Sequence, residues 1–248
     1  MDASGLCVYG IVRSDAALRE LPHGIEDRSV SSVGSGPLAA LVSPAPADLV
    51  KPSRRNLLAH AAVLQAAVEE TAVLPMRFGV VMPNEDAVRD VLLDEHQQRL
   101  RVQIDAFEDL VELDVKLTCP EEVLLREIVR EHPELRRLSD EIAGKPPEAT
   151  YFERIQLGEL VSRAIEARRQ ELLERVVGRL EPLVAETDIG EPTHDEMLVN
   201  VAFLVPRERV GEFDEAVAKL DAEIDLRTEY VGPLPPYRFV ETASAAWA

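Results

Sequence analysis

Between Tyr151 and about Val184 the chain carries one long helical pattern, and this stretch limits the possible folds more than any other. Ile155, Val161, Ile165, Leu172, Val176, Leu180 and Val184 lie along one stripe, with Glu and Arg filling the remaining positions. Gly144-Lys145-Pro146-Pro147 is a hard stop before it. Upstream, Pro120 opens a helix through Val123, Leu124, Leu125, Ile128 and Val129. That helix breaks at His132-Pro133 and resumes through Leu135, Leu138 and Ile142. Helices joined by a proline-rich turn are expected to fold back as an antiparallel hairpin of coiled-coil character, over about 120–187.

The preceding residues show a different rhythm. Leu6–Val12 is β-branched and aromatic enough for a buried strand, and Arg28–Val33 with Pro37–Val42 reads as a hairpin around Gly34-Ser35-Gly36. Ser53 is placed to cap a helix with Leu57, Ala61, Leu64 and Val68 on its inner face. Val73–Pro83 predicts a strand or a strand plus turn. Glu85 to Leu110 predicts one helix, with Val88, Val91, Leu92, Leu100, Ile104 and Phe107 inside. Val111–Thr118 alternates apolar with polar residues and predicts a half-exposed strand. Helices on one side of a mainly antiparallel sheet define an α+β sandwich close to a ferredoxin-like arrangement for residues 1–118.

The second domain is expected over 119–248. After the helical hairpin come a loop at Asp188–Glu196, a strand at Met197–Val205, a helix from Pro206 to Leu220 and a strand over Asp225–Val231. This strand-helix-strand unit spans about 196–240. Gly232–Tyr237 is too rich in proline to donate a normal ladder, and the tail Thr242–Ala248 is expected to fray.

Charge excludes several functions. Asp and Glu number 46 against 27 Lys and Arg, a net charge of −19. Such a body is repelled by nucleic-acid phosphates and anionic lipid heads, so neither nucleic acid nor membrane is expected as a partner. Aromatic residues make up only 4%, which leaves few platforms for stacking bases or sugars. No apolar run approaches the ~18 residues of a spanning helix, and the first residues lack a secretory pattern. Cys7 and Cys119 are far apart and form no metal-type spacing, so free thiols and a cytoplasmic location are expected.

No motif for phosphate binding, dinucleotide binding, zinc hydrolysis or a nucleophile elbow is present. His194-Asp195-Glu196 is the densest ligand-like cluster, but no second His or Cys completes a shell, and a solvated loop is expected. His60 sits beside an apolar stripe and reads as a hydrogen-bonded histidine at the core edge, not a catalytic base. No catalytic residue, cofactor or metal is therefore assigned, and the chain is not expected to be an enzyme.

Three segments look over-specified for packing alone. Leu74–Gly79 (LPMRFG) encloses a lone Arg77 between apolar neighbours. Tyr151–Leu160 (YFERIQLGEL) opens a helix on two aromatics and holds Gly158, whose missing side chain suggests close approach of another element. Gly232–Tyr237 is a rigid exit. Arg77 and Arg154 either pair carboxylates between subdomains or contact a partner.

Together with YGIV (Tyr9–Val12), VELDVKL (Val111–Leu117) and NVAFLV (Asn200–Val205), these segments resemble the gas vesicle protein family GvpF/GvpL, in order from Leu6 to Glu241. The resemblance implies a modified ferredoxin-like N-terminal domain, a C-terminal part with a coiled-coil unit, and no catalytic residues. It implies an accessory or minor structural protein of the gas vesicle. Such a protein would bind the apolar shell protein GvpA, limit its aggregation during nucleation and assembly, and meet other accessory vesicle proteins. A resident component on the gas-facing surface is the alternative, and a ferredoxin-like enzyme or small-molecule sensor a remote one. The residues expected to meet GvpA, in a cleft between the N-terminal sheet and the helical hairpin, are Arg77, Phe78, Tyr151 and Phe152. Arg154 and Tyr237 complete the candidate set.

Overall fold

The computed structural model describes residues 5–46 and 51–240. The expectation for the tail Thr242–Ala248 lies outside the described residues. The protein is a mixed α/β structure with two antiparallel sheets. Contacts divide it into two compact units, each assembled from several stretches. The first takes Met1–Leu113, Phe203–Val210 and Val231–Ala248, and the second Asp114–Ala202 and Gly211–Tyr230. This pattern is discontinuous, where the sequence suggested one cut after Thr118.

The first sheet holds β1 (Leu6–Arg13), β2 (Ser31–Ser35), β3 (Leu38–Pro44), β4 (Leu74–Pro75) and β5 (Val81–Met82). Its order is β2-β3-β1-β4, with β5 also paired to β1. Strand β1 is central, which explains its unbroken apolar run: Cys7 through Val12 are all buried. The β2–β3 hairpin forms as expected and turns at Gly36, whose φ is +56°. Helix α1 (Arg54–Glu70) starts where Ser53 caps it, the hydroxyl accepting from the Asn56 N–H. Its buried face is His60, Val63, Leu64, Ala67 and Val68. Leu57 and Ala61, expected inside, are exposed. The contact of His60 with Tyr9 selects the face, and the helix is rotated from the purely apolar stripe.

The long helix expected from Glu85 is broken. A short α2 (Glu85–Ala87) passes into a π-helical turn at Val88–Asp94, closed by Glu95 N–H on the Asp90 carbonyl, and α3 (Gln97–Ala106) follows. The wider turn shifts the phase, so Leu92 and Leu93 are buried and Val91 faces outward. Val88, Leu92, Leu93, Leu100, Ile104 and Phe107 pack with Val8, Ile11, Leu38 and Val42 in one core.

The second sheet has the order β7-β8-β6-β9, from β6 (Leu110–Thr118), β7 (Glu186–Ile189), β8 (Met197–Pro206) and β9 (Arg227–Leu234). Strand β6, read from sequence as part of the N-terminal sheet, therefore belongs to this one. Strand β7 occupies residues expected to be helix end and loop. Strand β9 continues through Gly232-Pro233, contrary to expectation, because an edge strand tolerates a residue without an N–H.

In the second unit, α4 (Glu121–Glu131) and α5 (Pro133–Ile142) break at His132-Pro133 as expected and pack against α6 (Tyr151–Leu180). Leu172, Val176 and Leu180 bury the C-terminal half of α6, and Arg175 and Arg179 reach Glu223 of α7 (Val210–Glu223). Ile155 of the expected stripe is exposed. Gly158 has open space where a Cβ would stand, so the close approach inferred for it is not made. Cys7 and Cys119 are free, buried thiols.

Tyr9 is fully buried, and its hydroxyl lies 2.7 Å from Ser43 Oγ and accepts from Ile25 N–H at 2.8 Å. A Cβ on Gly24 would come within 2.0 Å of that hydroxyl, so only glycine fits there. Tyr9→Phe leaves the Ile25 N–H without its acceptor. It is expected to lower unfolding stability by about 1–3 kcal/mol in urea titrations. A wild-type midpoint in Tyr9→Phe would show that the hydroxyl contributes nothing.

Candidate functional site

The LPMRFG segment is not one strand. Leu74 and Pro75 pair with Ile11 and Gly10, while Val81 and Met82 pair with Cys7 and Leu6. Between these ladders Met76 N–H donates to the Tyr9 carbonyl at 2.8 Å, and Val8 N–H donates to the Val80 carbonyl at 3.0 Å. Arg77, Phe78 and Gly79 are thus a short excursion whose two ends are fixed to adjacent residues of β1. Tyr9 lies where the β1–β3 register shifts, between Val8 and Gly10. Gly79 has a φ of +90°, a backbone region that side chains disfavour.

His60 holds the excursion from below. Its Nε2 lies 3.0 Å from the Met76 carbonyl and therefore carries the proton, which leaves Nδ1 as a bare acceptor. That Nδ1 is buried without a hydrogen-bond partner. The ring packs against Tyr9 at 5.2 Å and meets Phe78 edge-on at 5.7 Å. Phe78 is half-buried by this contact, and Arg77 is exposed.

Tyr151 and Phe152 form a T-shaped pair, with ring centroids 5.5 Å apart, at the start of α6. They are 62% and 80% exposed, a large apolar area left in water. Arg154 donates its Nε–H to Thr150 Oγ1 at 3.0 Å. Neither Arg77 nor Arg154 pairs with a carboxylate among the described residues. Tyr237 follows the buried Pro235-Pro236 step, and partial burial, then the nearby Glu112 carboxylate, push its hydroxyl up to about 12. Buried Glu112 also accepts the Arg238 N–H at 2.8 Å. Arg77, Phe78 and Tyr237 belong to the first unit, and Tyr151, Phe152 and Arg154 to the second.

The sequence marked this excursion but not its support. Tyr9 and His60 lie far apart in sequence, and only the pairing of β1 with both flanks of Arg77–Gly79 brings them together. Other titratable clusters converge less. A hollow of about 170 Å³ is lined by Arg13, Leu38, Arg101 and Asp105, but Arg13 already pairs with Asp105 at 2.6 Å. His194, Asp195 and Glu196 are exposed, and no group of three metal-ligating side chains converges among the described residues. No helix among them is long and apolar enough to cross a membrane.

Fold and surface together define a mixed α/β protein that displays aromatic and cationic side chains on a fixed excursion and at an unburied helix end. The family described as gas vesicle synthesis protein GvpL/GvpF matches residues 5–241, and the chain belongs to that family. It is 43% identical to gas vesicle protein F of Streptomyces sp. (strain CB03234), over 94% of this chain and 98% of that protein. The crystal structure of GvpF from Anabaena sp. PCC7120 matches with a TM-score of 0.80 at 29% identity, covering 94% of this chain and 97% of that one. GvpF from Microcystis aeruginosa matches with a TM-score of 0.80 at 26% identity, over 95% and 98%.

Burial pulls the His60 imidazole below its ordinary value, against the smaller opposing effect of its bond to Met76. The unfolded chain takes up that proton near pH ~6.5, before the folded one does. This contribution to stability is complete above pH ~6.5 and is lost as the pH falls below it. Thermal melts between pH 8 and 5 are expected to show a steeper loss of Tm for wild type than for His60→Gln. Parallel curves would remove His60 from the acid response.

Proposed function

We propose that this protein is a gas vesicle accessory factor that binds the shell protein GvpA and supports vesicle nucleation and assembly by limiting GvpA aggregation. The observation that carries the reading is the start of α6, where Tyr151, Phe152 and Ile155 stand in water on a body of charge −19. An apolar subunit has to stay dispersed before it joins an insoluble wall. A carrier meets that need with exposed apolar contacts for the cargo and a charge that repels other complexes. Arg77 and Phe78 offer a second contact, held at fixed geometry by Tyr9 and His60, and Arg154 and Tyr237 flank the two surfaces in sequence. On this reading α4–α6 act as a helical hairpin of coiled-coil character, and the N-terminal sheet is ferredoxin-like. The protein then works in the cytoplasm at the growing vesicle, with other accessory vesicle proteins as further partners.

Co-expression with tagged wild type, Arg77→Ala and Phe152→Ala tests the contacts. Soluble GvpA recovered with the protein is expected to fall severalfold for Phe152→Ala, whose exposed ring contributes little to folding, and less for Arg77→Ala. Equal recovery from all three overturns the assignment of these residues. Deletion in a vesicle-forming host is expected to abolish vesicles and leave GvpA insoluble, and normal vesicles would refute the assembly role.

A further inference from the structure

Helix α1 carries a surface of opposite character to the rest of the chain. From Lys51 to Val68 there is no Asp or Glu, in a protein where acids outnumber bases 46 to 27. Lys51, Arg54 and Arg55 are all exposed, and none pairs with a carboxylate among the described residues. The first turn of α1 has no acid. Cations there oppose the helix dipole, so helix stability does not account for them. By contrast α2, α4, α5, α6 and α7 each place an acid in the first turn.

The same outward face is apolar beyond its cationic end. Leu57 and Leu58 are 44% and 60% exposed, and Ala61 and Ala62 are exposed one turn on. Leu57–Ala61 and Leu58–Ala62 are parallel i, i+4 rows, the ridges on which a second helix seats. The alanines leave room for its backbone.

We infer that this face of α1 docks an acidic amphipathic helix from a partner protein. The partner's apolar stripe lies along Leu57, Leu58, Ala61 and Ala62, and its carboxylates meet Lys51, Arg54 and Arg55, which fixes its direction. An acidic helix suits this surface better than an anionic membrane does. A lipid plane would extend past the patch and bring the acidic surface around it within the ~8 Å screening length, whereas one helix confines its charge to the patch. The face uses none of the residues proposed above to meet GvpA, so either assignment can fail alone.

The test uses the full chain and a fluorescent synthetic helix of about 18 residues, five turns, with Leu and Ala on one face and Glu on the other. Its counterpart has Lys for Glu, and phosphatidylserine vesicles form a third arm. The Glu helix is expected to bind wild type in a salt-sensitive manner, with affinity reduced about fivefold or more in Arg54→Glu/Arg55→Glu and in Leu58→Ser. These positions are exposed, so both variants should keep the wild-type circular dichroism, and the charge reversal, which complements the helix dipole, should not lower Tm. If the charge reversal lowers Tm, Arg54→Gln/Arg55→Gln serves in its place. The proposal is overturned if the Glu helix does not bind, binds all variants equally, or binds no better than the Lys helix. Variant-sensitive binding to vesicles alone assigns the face to lipid and overturns it. So does variant-sensitive self-association in sedimentation, which assigns the face to a second copy.

Discussion

The phenol of Tyr9 has no access to water, so each of its polar contacts has to be supplied by the chain. Ser43 supplies one from β3 and the Ile25 N–H another from the loop near Gly24. The ring then meets His60, which fixes the face that α1 buries. The same residue interrupts the β1–β3 register and gives its carbonyl to Met76. One side chain thus sets the position of a loop, a strand, a helix and the Arg77–Gly79 excursion. A buried polar network of this kind specifies geometry because partial satisfaction is costly. The exposed residues on the excursion inherit that definition without contributing to the core.

Helix α6 divides its work along its length. Its C-terminal half buries Leu172, Val176 and Leu180, and its cations reach carboxylates on other helices: Arg168 to Glu131, Arg175 and Arg179 to Glu223. Exposed pairs of this sort contribute about 0–1 kcal/mol each, so burial of the three aliphatic side chains does most of the holding. The first turns bury none of their apolar side chains, and Tyr151 and Phe152 meet edge-on while staying largely exposed. Packing at one end therefore presents the other.

Strong local signals were legible in sequence: the buried run of β1, the hairpin at Gly36, the Ser53 cap, the break at His132-Pro133 and the aromatic start of α6. Features set by distant partners were not. The π turn that exchanges Val91 for Leu93 leaves no mark on apolar periodicity. Leu57 fitted an inner stripe until His60, a polar residue, took that face. Strand β7 is short and lies at a sheet edge, so its pairing with β8 outweighs a weak local pattern. The assignment of β6 to the second sheet depends on residues some eighty positions later. At the candidate site, Arg77 and Phe78 stood out as an odd pair, but their support from Tyr9 and His60 appears only once β1 is flanked on both sides.

Net charge conceals a distribution, and the distribution decides what the surface can bind. A uniform −19 body repels acidic partners everywhere, but potentials fall off within a Debye length and local composition then dominates. The approach to α1 and its first turns are such a locality: from Lys51 to Val68, where no acid occurs, three cations adjoin a row of exposed Leu and Ala side chains. The start of α6 differs, with aromatics amid mixed charge. Under the carrier role proposed above, the surface needs repulsion over most of its area and attraction at a few places. The His60 contact bears on two exposed surfaces. It fixes Phe78 on the excursion, and by claiming the inner face of α1 it turns Leu57 and Leu58 outward.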